Sequence, residues 1–119
     1  MKEEIRWARA LSFLGLCKRA GRVCSGTDAV LEAVRSNQAK LVLLDEAASE
    51  ETKKRLQSAC ESHQAALYLL PEGTIGHAIG QENRMAVSLA RDGMTQRLHE
   101  LLRQAAQETD EQTASNAGV

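Results

Sequence analysis

The stretch Leu11 to Thr27, LSFLGLCKRAGRVCSGT, decides how the rest of the chain is read. It passes from an amphipathic helix through a glycine exit into a short strand, then into a second glycine hinge that opens another helix. Trp7, Ala10, Leu11, Leu14 and Cys17 recur at helical spacing, which predicts a buried stripe, widened by Phe13, Leu16 and Ala20. Gly21 stands where a helix takes its left-handed C′ residue, and Arg22 to Cys24 reads as strand.

Downstream, Ala29, Val30, Ala33 and Val34 share one helical face, with Ser36-Asn37 as the exit. Ser25 or Thr27 supplies the expected cap, and Asp28 suits the positive end of the helix dipole. Lys40 introduces Leu41-Val42-Leu43-Leu44, closed by Asp45-Glu46; a continuous apolar run predicts a strand covered on both faces. Ser49 caps a third helix with Glu50 and Glu51 in its first turn and Leu56, Ala59 and Cys60 on its buried face. Ala65 to Leu70 is a third strand ending at Pro71, and a short helix around Ile75, Ala78 and Ile79 stops at Gly80. After the polar bend Gln81-Glu82-Asn83-Arg84, Met85 to Ala90 is a fourth strand. A last helix, begun near Asp92, carries Met94, Leu98, Leu101, Leu102 and Ala105.

Helices alternating with strands predict an α/β fold with a mixed sheet covered on both faces. At 119 residues the chain holds one such domain, residues 1–106, and the aperiodic residues 107–119 read as a flexible polar tail.

Composition narrows the chemistry. Cys17, Cys24 and Cys60 form an odd set without a CxxC pair, so they read as small buried hydrophobes rather than disulfides or zinc ligands. His63, His77 and His99 lack metal-ligand spacing, and no metal or other cofactor is expected. Cys60 with His63 has helical spacing, but no third group orients the pair and Cys60 falls on an apolar face. The glycines spell no phosphate loop, so the expectation is a protein without enzymatic activity. No apolar run is long enough for a membrane, and the start MKEEIRWAR lacks the apolar core of a secretory signal, which predicts a cytoplasmic protein.

The net charge of −1 by itself predicts no nucleic-acid partner, but the distribution is uneven. Residues 1–25 hold six basic side chains against two acidic ones. Lys18 and Arg19 close the first helix, Arg22 opens the strand, and the Gly26-Thr27 step presents the amides of the next helix. Cations beside free amides make an anion site, and the commonest large anion is RNA. Lys53, Lys54 and Arg55 read instead as partners of Glu50 and Glu51 on a solvated face. Trp7, Phe13 and Tyr68 are the only aromatics, too few for a platform stacking single-stranded bases.

The run LGLCKRAGRVCSGTDAVLEAVRSNQAKLVLLDEAASEETKKRL (Leu14 to Leu56), the helix IGHAIG (Ile75 to Gly80) and the strand MAVSLA (Met85 to Ala90) together resemble the kink-turn-binding ribosomal proteins of the L-seven-Ae and L-thirty-e type, above all their small bacterial YlxQ-like members. The resemblance spans roughly residues 8–103. It implies a three-layer α-β-α sandwich with a four-stranded mixed sheet. It also implies an RNA-binding edge built from two places: Ser25, Gly26, Thr27, Asp28, Ala29 and Glu32 after the first strand, and Gln81, Glu82, Asn83 and Arg84, leading to Met85, before the last. Where kink-turn binders of that family carry Asn-Glu and then a lysine, this chain has Asp28, Ala29 and Glu32, and Ser25 replaces a lysine before the glycine. An aspartate loses the amide's donors and adds a charge that phosphates repel.

The expected function is therefore recognition of structured RNA, ribosomal or kinked, in the translation apparatus, by a monomer that meets ribosomal or translation-related proteins there. Lys18, Arg19, Arg22, Ser25, Gly26, Thr27, Asp28, Asn83 and Arg84 are the expected RNA contacts. The alternative is a protein-interaction module on the same scaffold, docking a partner through the acidic edge around Asp28 and Glu32.

Overall fold

A computed structural model describes the backbone of residues 2–118 and the side-chain surroundings of residues 5–107. The elements follow in the order α1 (Lys2–Arg19), β1 (Cys24–Ser25), α2 (Thr27–Arg35), β2 (Leu41–Asp45), α3 (Glu50–His63), β3 (Ala66–Leu70), α4 (Thr74–Ile79), β4 (Ala86–Leu89) and α5 (Gly93–Gly118). The helix-strand alternation expected from the hydrophobic spacing is thus present throughout. The expected tail boundary at residue 107 falls inside α5, whose side chains from residue 108 onward lie outside the described residues.

The four strands lie in the order β1-β4-β2-β3. β4 runs antiparallel to both β1 and β2, whereas β2 and β3 are parallel, paired from Leu41↔Ala66 to Asp45↔Leu70. All five residues of β2 and all four of β4 are buried, which explains the unbroken apolar run Leu41–Leu44 and the apolar residues flanking Ser88. Side chains alternate across this sheet. Leu41 and Leu43 join Val87, Leu89 and residues of α1, α4 and α5 in one core, while Val42 and Leu44 join Ala86 and residues of α2 and α3 in the other. Those two cores make the three layers.

Trp7, Ala10, Leu14 and Cys17 form the buried stripe of α1, but Leu16 is 45% exposed. Ala20 is exposed too, because it lies past the end of the helix. That end is a glycine cap of the Schellman type: Gly21, at φ 73°, donates its N–H to the Lys18 carbonyl, and Arg22 donates to that of Cys17. The cap delays the strand, so β1 begins at Cys24 rather than Arg22.

Three polar side chains fix the ends of strands and helices. Asp45, 2% exposed, accepts from Ala47 N–H at 2.7 Å through Oδ1 and from Gly73 N–H at 2.8 Å through Oδ2. It therefore ties the end of β2 to the turn that opens α4. Ser49 accepts from the Thr52 N–H and caps α3 as its sequence position predicts. Asp92 does the same for α5, its Oδ1 accepting from the Thr95 N–H at 2.9 Å.

Candidate nucleic-acid interface

The hinge between β1 and α2 is made by Gly26, at φ 104° and ψ 137°, a conformation that side-chain-bearing residues avoid. Its N–H donates to the Ala86 carbonyl, which extends the β1-β4 pairing by one bond, and its carbonyl accepts from the Val30 N–H to begin the helix. Gly26 is itself the N-cap, and no side chain caps α2. The expected caps, Ser25 and Thr27, do not act as such, since the Ser25 hydroxyl donates to Gln81 Oε1 at 3.1 Å. The opening amides of α2 are consequently available to a ligand.

The second predicted loop lies directly against this hinge. A Cβ built on Gly26 would stand 2.7 Å from Arg84 Nη1, so the guanidinium occupies the space over the start of α2 that a side chain at Gly26 would fill. Residues 81–85 are all exposed, yet their backbone is pinned: Arg84 N–H donates to the Gln81 carbonyl, Gln81 N–H to that of Gly76, and Asp45 N–H to that of Met85. Gly76 allows this seating, because a Cβ there would meet the carbonyl oxygens of Gln81 and Glu82 at 2.8 and 2.9 Å. Folding thus brings together Ser25, Gly26, Thr27, Asp28, Asn83 and Arg84 at one end of the sheet, with Ala29 and Glu32 exposed on the same helix.

The remaining predicted cations lie at the end of α1 and just beyond it. Arg22 is drawn to Asp92 at the start of α5, with Nη1 3.7 Å from Oδ2. The Asp92 carboxyl is held below the ordinary aspartate range, chiefly by the Thr95 N–H and with a contribution from Arg22. Arg22 therefore sits beyond the opposite end of β1 from Gly26, because β1 and β4 are antiparallel and Asp92 follows β4. Arg19 lines a groove between α1 and α4, opposite Thr74 and His77, and Lys18 is partly buried on the same helix end. The Gly21 turn stands between Arg22 and the two cations that close α1.

Two residues that fix the interface escaped the sequence reading. Gly76 carried a signal, because a glycine inside a helix costs about 1 kcal/mol against alanine and marks a close approach. Asp45 carried none, since an acidic residue after an apolar strand ordinarily reads as its solvated end.

The buried cysteine thiols are not activated by their surroundings. Burial pushes the Cys60 thiol up to about 11 and raises that of Cys17, so both remain protonated thiols near neutral pH. Cys24 is half-buried rather than fully enclosed. Among the described residues no group of His, Cys, Asp and Glu is arranged to hold a metal ion. None of the described helices is long and apolar enough to cross a membrane.

Comparison with known proteins agrees with this architecture. The chain is 37% identical over 90 residues to the RNA-binding protein YlxQ of Bacillus subtilis, an alignment covering 75% of this chain and 90% of that one. It is 27% identical over 95 residues to the YlxQ protein of Enterococcus faecium, covering 79% and 91%. Among solved structures, a protein of unknown function from Bacillus halodurans superposes with a TM-score of 0.75 at 33% identity, over 81% of this chain and 98% of that one. The Giardia lamblia 15.5kD RNA binding protein shares the fold, with a TM-score of 0.70 at 14% identity, over 90% and 88% of the two chains. Residues 8–98 match the pattern of one protein family, and the chain belongs to it: the Ribosomal protein L7Ae/L30e/S12e/Gadd45 family.

Proposed function

We propose that this protein binds structured RNA, without enzymatic activity, through the edge formed by the start of α2 and the 81–85 loop. One observation carries the reading: the Arg84 guanidinium lies over Gly26, beside the uncapped start of α2. A cation and free amides at one point form a site for a phosphate or for the acceptor edge of a base. Asp28, exposed on the first turn, offers the opposite chemistry, an acceptor for the imino and amino hydrogens of a guanine edge. Tandem sheared G·A pairs in a kinked RNA expose such edges beside closely spaced phosphates, so an edge mixing donors and acceptors suits folded RNA better than a plain duplex.

The names of its relatives support RNA as the ligand, and the ribosomal-protein family supports a place in translation; under this proposal the protein is a cytoplasmic monomer. Of the nine predicted contacts, we retain Ser25, Gly26, Thr27, Asp28, Asn83 and Arg84 for this edge.

Calorimetry with a kink-turn RNA, the same RNA with its sheared pairs abolished, and a plain duplex tests the reading at low and physiological salt. Preference for the intact kink, reduced about tenfold by Arg84→Ala, is the expected result. Binding of none of the three, or equal binding that Arg84→Ala leaves unchanged, rejects this edge. Capture of a protein partner that Glu32→Lys releases, without RNA binding, would establish the edge as a protein-docking surface instead.

A further inference from the structure

The groove between the end of α2 and α3 is a strongly cationic surface that the proposed edge does not use. It encloses about 460 Å³ and is lined by Arg35, Lys54, Arg55, Ser58, Ser62 and His63, with no carboxylate among its lining residues. In a chain of net charge −1 this concentration of positive charge is local rather than general. Lys54 and Arg55, expected to pair with Glu50 and Glu51, do not. Among the described residues the ion pairs are Lys53 with Glu50, Arg22 with Asp92, and Arg97 with Glu100. Arg35, Lys54 and Arg55 are exposed, and their charge is directed at solvent rather than spent inside the protein.

The surface is also held in shape. Asn37, in the left-handed conformation at φ 62°, follows α2 and places its Oδ1 2.9 Å from His63 Nδ1. That contact fixes the imidazole at the end of the groove and links the ends of α2 and α3. Ser58 and Ser62, one turn apart on α3, add hydroxyl donors. The groove is an open track along two helices rather than a closed cradle, so it suits a run of phosphates better than one small ion.

We infer that this groove is a second phosphate-binding surface, which takes the sugar-phosphate backbone of the same RNA that the α2 edge reads. The inference rests on the function proposed above and adds to it a contact without sequence preference. Arg35 follows Thr27 by eight residues along α2. The separation is about 12 Å along the axis, less than one turn of a nucleic-acid duplex at roughly 30 Å. One folded RNA can therefore touch both. The arrangement offsets the unfavourable charge of Asp28 and Glu32 at the edge with phosphate contacts placed beyond them.

The test compares the wild type, the triple variant Arg35→Gln/Lys54→Gln/Arg55→Gln, and Arg84→Ala, each first checked for an unchanged thermal midpoint. The probes are a kink-turn RNA, a plain RNA duplex of the same length, and inorganic phosphate. The expected result is that the triple variant loses about tenfold or more in affinity for both RNAs and lowers the slope of log affinity against log salt by two to three. It keeps its preference for the kink, while Arg84→Ala loses that preference. If the kink is bound and Arg84→Ala weakens it, but the triple variant leaves affinity and salt slope unchanged, the groove inference fails and the proposed function stands. If inorganic phosphate shifts the amide resonances of Ser58 and Ser62 and neither RNA does, the groove holds a small anion and the RNA assignment is overturned. If neither RNA binds at all, both the function and the groove assignment fall.

Discussion

The two surfaces at either end of α2 are built by opposite means. At its start, position is set by backbone: Gly26 at φ 104°, Gly76 under two carbonyls, and a loop tied down by main-chain hydrogen bonds. At its end, the groove is set by side-chain charge on ordinary helical backbone. The first surface should therefore be sensitive to a single methyl group and moderately sensitive to salt. The second should tolerate methyl groups and respond steeply to salt. Under the proposed function, geometry selects which RNA is bound and charge adds affinity for any RNA.

The largest effect should come from breaking the geometry without touching a charge. Gly76→Ala places a Cβ within 2.9 Å of the Gln81 and Glu82 carbonyl oxygens, both backbone, so the 81–85 loop must move. We expect a loss of about 1–3 kcal/mol in stability, the range for overpacking, measured by denaturant unfolding. Affinity for a kinked RNA should fall by roughly tenfold or more, and binding to a plain duplex much less, because the groove is untouched. Equal losses for both RNAs would show that the loop does not select the kink.

That contrast also explains what the sequence could and could not reveal. The sheet and its covering helices were legible because burial writes a period into the chain: Trp7, Ala10, Leu14 and Cys17 along α1, and the unbroken run of β2. The placement of Gly26 and of residues 81–84 at one edge came from the family resemblance, since nothing in local pattern says that positions 26 and 84 touch. The cations divided along the same line. Lys18 and Arg19 close α1, and Arg22, beyond the Gly21 cap, goes to Asp92. Arg35 is far in sequence from Lys54 and Arg55, and it meets them only because α2 and α3 lie side by side on one face of the sheet. Periodicity reports burial within an element, while a charged surface is assembled between elements.

A smaller effect should follow from changing the charge at the edge while leaving its backbone alone. Glu32 is exposed one turn after Asp28 on α2, beside the proposed edge. Glu32→Lys replaces a repulsive charge with an attractive one, and we expect affinity for both a kinked RNA and a plain duplex to rise by roughly fivefold at low salt. The gain should shrink toward physiological salt, and discrimination between the two RNAs should stay constant. A gain confined to the kinked RNA would place Glu32 against a base rather than a phosphate.

The smallest effect on binding is expected from a titrating group that belongs to neither surface. His99 Nε2 lies 3.1 Å from the Tyr68 hydroxyl, with the two rings edge to face, and burial, aided by Arg103, holds the imidazole below its ordinary pKa. A histidine whose folded pKa is depressed binds its proton more readily in the unfolded chain. It therefore contributes stability that is fully present above about pH 6.5 and is lost as pH falls through the folded value. The thermal midpoint should decline between pH 7.5 and 5, and His99→Gln should flatten that part of the decline relative to the wild type. RNA affinity and salt slope at pH 7.5 should be the same in both proteins, since α5 and β3 contribute no residue to the edge or to the groove. A change in binding at pH 7.5 would mean that the packing of α5 on the sheet is felt at the α2 surfaces, and the division between a geometric end and an electrostatic end would have to include the opposite layer of the sandwich.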